Sequence, residues 1–397
     1  MAATGWGALH QLFGFDTLAL PGIVGCMQDR VRYLDGLRGW AALAVLLYHA
    51  YWELLGAKFP QLRHGALALF CNGPLAVSIF FILSGDALLT PFLARKDFDV
   101  LRTTAFRRYT RLTVPILMAS LLTFVVMKLG WLANTEAAHI MGSAHWLGTF
   151  AQFTPSLPSA VRFGLYGVYF DGSEQRNYHP FLWTMPIEML GSLLMFVFGM
   201  QVERLRRPAL VALVIAVFLY AFKSYQALFF LGAFFALRRQ QGGLQAQLVG
   251  GSVWAARLLS FALLGFAFWS CARSSDLGNE SLWLNAARAA AVVTAVHLNA
   301  DLVRLMETRL SRFMGRMSFP LYLVHFAILI TLTSHLVVAA QAGGGVTVQT
   351  GLQIFAVTVV AAMAGAWVFA NLEERALRGV NRLLERLRLP APARPAP

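Results

Sequence analysis

Charge is scarce in this chain, and acidic charge scarcer still. Of 397 residues only 13% are Asp, Glu, Lys or Arg, and only 19 are acidic. A soluble globular chain carries about 25% charged residues, so the deficit excludes an ordinary soluble enzyme. With 58% hydrophobic residues the chain is equally unlike a disordered one. Cysteine is nearly absent. Cys26, Cys71 and Cys271 form no Cys-x-x-Cys pair and have no histidine cluster nearby, which argues against a disulfide scaffold, a zinc site and an iron–sulfur site. No metal is expected, and two unpaired buried thiols at 71 and 271 are favoured over a bridge between them. The two halves show no internal repeat, which counts against an inverted-repeat transporter. Residues 1–29 lack a long apolar run ending in small residues, so no signal peptide is expected.

Long apolar runs are what the sequence has in plenty. A membrane span needs about 20 mostly apolar residues to cross a hydrocarbon core of about 30 Å. Ten stretches qualify or nearly so: 40–56, 68–93, 114–133, 180–200, 208–222, 225–237, 253–271, 282–300, 319–340 and 350–370. The fifth and sixth are short and separated only by Lys223-Ser224, which reads as a tight helical hairpin or one broken unit. The fold class expected is all-α, a polytopic membrane protein of about ten transmembrane helices.

The net charge of +14 then follows topology. The N-terminal flank, the even-numbered loops and the C-terminal tail together hold 25 of the 33 Lys and Arg. Such an excess marks the cytoplasmic side. Both termini are therefore expected in the cytoplasm, and the basic balance is explained without nucleic acid. The chain divides into a cytoplasmic N-terminal segment 1–31, a membrane domain 32–372, and a basic cytoplasmic tail 373–397, where leucines at helical spacing among arginines suit a short interfacial helix. The loop 134–179 carries Trp146, Phe150, Phe153, Phe163, Tyr166, Tyr169 and Phe170. It is too long for a plain connection, and its aromatics predict that it folds over the outer mouth.

Ionisable groups inside spans are costly and mark candidate sites. Arg38 and His49 are 11 residues apart, three helical turns, so they share one face about 16 Å apart. His49 has the chemistry of a general base; a core histidine bonded to a backbone carbonyl is the competing reading. Glu53, four residues on, either orients the imidazole or reaches outer-face water, and the water reading is favoured. Asp86 lies inside the second span and Glu188 inside the fourth. Glu188 and His49 have similar depth, which permits a contact that would hold the imidazole as a triad carboxylate does. His325 lies in the ninth span, toward its cytoplasmic third. Arg288 either snorkels or pairs with a carboxylate, while His297 and His335 read as packing or interfacial residues. Arg108 and Arg111 stand at the entry to the third span, as positive-inside anchors or as a fork for phosphate oxygens.

Together these motifs resemble the acyltransferase 3 family of integral membrane acyltransferases. The resemblance rests on Tyr33-Leu34-Asp35-Gly36-Leu37-Arg38-Gly39 with Tyr48-His49, which reproduces an Arg-x(10)-His spacing. It rests also on Phe80-Phe81-Ile82-Leu83-Ser84-Gly85, on Arg108-x-x-Arg111, on Leu182-Trp183-Thr184-Met185-Pro186-Ile187-Glu188, and on Ser318-x-x-Leu321-Tyr322-x-x-His325. Asp86 departs from the family's pattern, which has a large apolar residue after Ser-Gly, and puts the substrate in question.

The resemblance implies acyl transfer from cytoplasmic acyl-CoA, acetyl-CoA above all, to a hydroxyl of an exported carbohydrate or related metabolite, with a bacterial inner membrane as the default location. His49, Glu188 and Arg38 are then the expected catalytic residues. Arg108, Arg111, Ser84 and His325 are expected on the CoA donor, and Asp86 and Trp183 on the substrate. The partners implied are acyl-CoA, a carbohydrate or small-molecule acceptor and the lipid bilayer. A secondary transporter or flippase for a glycan or lipid intermediate, and a binding protein on a degenerate acyltransferase scaffold, are the alternatives.

Overall fold

The computed structural model describes residues 31–171, 176–241, 250, 252–274 and 276–387. Among them there is no strand, and ten helices of 14 residues or more carry the fold: α1 (Arg32–Leu47), α2 (Gly73–Arg95), α3 (Phe98–Lys128), α4 (Met185–Gln201), α5 (Pro208–Ala221), α6 (Gln226–Gln240), α7 (Val253–Ala272), α8 (Leu282–Leu298), α9 (Arg309–Ile328) and α10 (Val348–Leu387). Their starts are chemically marked. The side chains of Asn72, Asp97, Ser252, Ser281 and Thr308 each accept a backbone N–H from the first turn of α2, α3, α7, α8 and α9, satisfying donors that a helix end leaves open.

Every candidate span of the sequence falls on one of these helices. Six helical stretches are long and apolar enough to cross a membrane: Gly65–Arg95, Phe98–Lys128, Pro180–Arg204, Val253–Ala272, Arg309–Ala342 and Val348–Arg382. The pair Leu282–Leu298 and Ala300–Met306, bent by 101°, makes a seventh if it counts as one span. The others fall short for visible reasons. α5 and α6, at 14 and 15 residues, reach only about 21–23 Å, and α1 carries Arg32, Asp35 and Arg38. α5 and α6 do form the expected hairpin, turning at Lys223 with φ 56°.

Two close helix crossings organise the bundle. α1 runs along α9, and α2 along α6. At the second crossing a Cβ on Gly85 would overlap the Phe229 carbonyl oxygen, and one on Gly232 would overlap that of Ile82. Only glycine lets these backbones approach so closely.

The tail differs from expectation. α10 continues unbroken from the apolar run through Glu373 to Leu387, so residues 373–387 extend a span-length helix instead of forming a separate interfacial one. Residues 388–397, like segment 1–30 and Cys26 within it, lie outside the described residues. Cys71 and Cys271 are free and buried, as expected; Asn72 Nδ2 donates to Cys271 Sγ at 3.6 Å.

Candidate active site

α1 does not end at Leu47. It loosens into a π-helix over Tyr48–Leu55, and α9 does the same over Leu329–Thr333 before resuming as Ser334–Ala342. π segments interrupt regular helices mostly at functional positions. His49 is the second residue of the first of them and His325 precedes the second.

The two histidines meet. His49 Nδ1 lies 3.1 Å from His325 Nε2, and their rings are nearly parallel with centroids 5.2 Å apart. Phe181 stacks on His49 at 3.9 Å and on His325 at 5.1 Å. Trp146 lies parallel to His49 at 5.7 Å. His325 is buried, at 1% exposure, whereas His49 keeps some accessible surface. The loop 134–179 therefore does fold over His49, and Trp146 is its contact. It is pinned by Asn134, whose Nδ2 donates to the carbonyls of Leu147 and Phe150, both at 3.0 Å.

Phe181 is positioned by a 3-10 turn, Pro180–Thr184, ahead of α4. Tyr322 of α9 holds that turn: its hydroxyl donates to the Phe181 carbonyl and lies 3.0 Å from Thr184 Oγ1. His179, just before the turn, bonds the Leu323 carbonyl through Nε2 at 2.8 Å. Trp183 points the other way. It is 49% exposed and packs on Tyr225, away from the histidine stack.

Glu188 has partners other than the one its depth permitted. Its Oε1 accepts from Ser84 Oγ at 2.6 Å and forms an ion pair with Arg108. Arg108 Nε also donates to Ser192 Oγ at 3.0 Å. Glu188 thus ties α2, α3 and α4 together and makes no hydrogen bond to His49 among the described residues. Its position on α4 turns it toward α2 and α3. Ser84 and Arg108, expected on the CoA donor, are engaged in this buried cluster. Arg111 is exposed on the next turn of α3, within electrostatic reach of Glu373. Arg38 lies 3.9 Å from Asp35. His325, expected on the donor, touches His49 from midway along Arg309–Ala342.

Asp86, expected on the substrate, is 1% exposed, and its carboxylate is engaged by neighbouring side chains. Arg239 grips it with Nη1 at 2.8 Å and Nη2 at 2.5 Å. Thr90 Oγ1 donates at 3.0 Å, His297 Nε2 lies 3.6 Å away, and Arg239 reaches Tyr33 at 3.3 Å. This is a structural ion pair joining α2 to α6, with α1 and α8 alongside. Its partner was legible only as one more basic residue at a helix end.

Arg288 pairs with Glu280 and is fully buried; Ser270 supplies further acceptors, Oγ at 2.9 Å and its carbonyl at 2.5 Å. His335 bonds the Thr331 carbonyl at 3.0 Å, as a packing histidine would. Glu53 faces the Tyr48 hydroxyl. Among the described residues no three His, Cys, Asp or Glu come together as a metal site would require. The residues that sequence reasoning left unassigned at this site are Phe181, Trp146 and Tyr322. Trp146 is one of the loop aromatics, Phe181 stands just past the loop in the turn before α4, and Tyr322 stands inside a quoted motif.

Comparison with known proteins gives the family. A family model described as an acyltransferase domain matches residues 31–371. An O-acetyltransferase, PaAT-1 of Phomopsis amygdali, is 28% identical, with 77% of this chain and 73% of the relative covered. No solved structure matches the chain.

Proposed function

Because the chain belongs to the acyltransferase 3 family, we propose that it transfers an acyl group, acetyl first among candidates, from acyl-CoA to a hydroxyl of an exported carbohydrate or related metabolite. The family and the O-acetyltransferase relative support O-acyl transfer, and the apolar helices support a multi-pass membrane protein. The finer reading rests on one observation. His179, His297, His325 and His335 each bond a backbone carbonyl, as packing histidines do. Among the described residues His49 bonds none and has a hydrogen bond to His325 alone, and it retains accessible surface. A histidine held by one nitrogen and reachable at the other has the form of a general base.

In this reading the acceptor oxygen attacks the thioester carbonyl carbon while His49 takes the hydroxyl proton. The carbon–sulfur bond then breaks, and the departing CoA thiolate recovers that proton from the imidazolium. Such assistance is worth about 10²–10⁴ in rate. Arg38 and Arg111 receive the CoA phosphates at the basic end, since guanidinium forks match phosphate oxygens. Arg108, Glu188 and Ser84 act as the brace that fixes α2, α3 and α4 around the thioester. The membrane domain spans residues 32–372 in ten crossings with both termini cytoplasmic, and residues 373–397 form a basic tail; cysteine-accessibility labelling of the loops counts the crossings.

The test is CoA release from radiolabelled acetyl-CoA by the protein in nanodiscs, with and without a glycan and metabolite extract, beside His49→Ala. Release and labelled product that need both extract and His49 are the expected result. Label retained on the protein would replace direct transfer by an acyl-histidine path. Near-normal turnover by His49→Ala would remove His49 as the base.

A further inference from the structure

His325 has its own fixed partner, and that partner decides the chemistry of His49. His325 Nδ1 lies 3.0 Å from the Leu321 carbonyl oxygen, one turn back on α9. A carbonyl only accepts, so this contact requires the proton on His325 Nδ1. In a neutral ring the other nitrogen, Nε2, then carries a lone pair. That Nε2 faces His49 Nδ1 at 3.1 Å. An acceptor there requires the proton on His49 Nδ1, which leaves the His49 lone pair on Nε2, the nitrogen turned away from His325.

We propose that His325 is the positioning residue of the reaction: held by the Leu321 carbonyl, it fixes His49 as the Nδ1–H tautomer and so presents Nε2 as the base. The inference rests on reading His49 as that base. His325 does here what a buried carboxylate does in Ser-His-Asp enzymes, where the wrong tautomer lowers kcat by about 10⁴. It differs in being neutral. When His49 takes the acceptor's proton, its Nδ1–H stays donated to His325, and no carboxylate is needed at the pair. Three features keep the geometry from relaxing. Phe181 stacks on both rings, Tyr322 anchors the turn that carries Phe181, and His325 is 1% exposed, so no water stands in for its contact.

The experiment combines tautomer and kinetics in the full-length protein in nanodiscs. Imidazole ¹⁵N shifts of histidine-labelled protein, with the His49 signals assigned by His49→Gln, report which nitrogen carries the proton. The expected wild-type state is His49 protonated on Nδ1. His325→Leu keeps the volume and removes the acceptor. It should mix the His49 tautomers and lower kcat by about 10²–10⁴, with KM for acyl-CoA unchanged within about threefold. His325→Gln places an amide oxygen at the reach of Nε2 and should restore kcat to within about tenfold of wild type.

Three results would overturn the proposal: His49 protonated on Nε2 in the wild type, His325→Leu with kcat within about twofold of wild type, or His325→Gln as impaired as His325→Leu. Should His325→Leu fail to fold, the wild-type tautomer and the Gln variant still decide. Absence of acyl transfer by the wild type with any acyl-CoA would instead sink the functional reading, and the ¹⁵N result, which needs no substrate, keeps the two failures apart.

Discussion

Replacing Arg239 by Met strands Asp86. The carboxylate is 1% exposed and would keep only Thr90 and His297 as polar neighbours. Removing one partner of a buried ion pair typically costs about 3–5 kcal/mol. The reverse substitution is milder. Arg239 is 25% exposed on its side chain and lies one residue before the end of α6, so in Asp86→Leu its guanidinium can swing toward water. We expect a loss of about 1–2 kcal/mol there. Replacing both by apolar residues removes the stranded charge altogether and should recover most of the Arg239→Met loss. The order expected is wild type, then the double variant close to Asp86→Leu, then Arg239→Met well below.

The chain's 10 tryptophans give a fluorescence signal for thermal unfolding in nanodiscs. At about 2 °C per kcal/mol for a large chain, Arg239→Met should lower the midpoint by about 6–10 °C. Acyl transfer by the double variant separates this account from a substrate role for Asp86. A structural pair predicts near-normal turnover once stability returns, whereas a substrate contact predicts loss in every variant lacking Asp86. Additive losses in the double variant, or an Arg239→Met midpoint within about 1 °C of wild type, would refute the reasoning.

Further substitutions follow from the same geometry. Arg288→Met leaves Glu280 unpaired inside the bundle and should cost about 3–5 kcal/mol, read as the same midpoint shift; Arg288→Met with Glu280→Leu should recover most of it. Gly232→Ala drives a methyl into the Ile82 carbonyl and should cost about 1–3 kcal/mol. Gly379→Ala, in α10 with nothing within 4 Å, should be neutral or stabilising by up to about 1 kcal/mol, so equal effects at the two glycines would contradict the close crossing. Glu188→Gln keeps a Ser84 acceptor but not the charge facing Arg108. It should destabilise by about 1–3 kcal/mol and lower turnover without changing the ¹⁵N tautomer of His49, since the two groups do not touch.

The helices were legible because their causes are local. Apolar runs, capping side chains and short polar breaks all lie within a few residues of what they determine. The covering loop was legible for a similar reason, since the aromatics of 134–179 need something apolar to pack on, and Trp146 and Phe150 find it around His49 and Phe181. The pairings were not legible. Counting residues from a span's end gives depth in the membrane but says nothing of rotation about the helix axis. Counting gave Glu188 and His49 the same depth, but a 3-10 turn before α4 and a π segment after Leu47 set their rotation independently. The same gap hid Arg239, which counting placed among positive-inside anchors although its side chain reaches back to Asp86.

Once the rotations are known, the polar residues inside the bundle separate by charge. Asp86 has Arg239 from α6, Glu188 has Arg108 from α3, and Glu280 has Arg288 from α8. Each buried carboxylate is matched by a guanidinium, because an unmatched charge there would be too costly to keep. Such pairs join neighbouring elements and have no free charge to offer a reaction. His49 and His325 escape that constraint because imidazole is neutral and can be buried on hydrogen bonds alone. In the proposed reaction the group that gains and loses a proton is thus the one whose resting state needs no counter-ion. A carboxylate at His49 Nδ1 would be one more buried charge in need of its own arginine. A second histidine, oriented by a backbone carbonyl, supplies the acceptor without that charge.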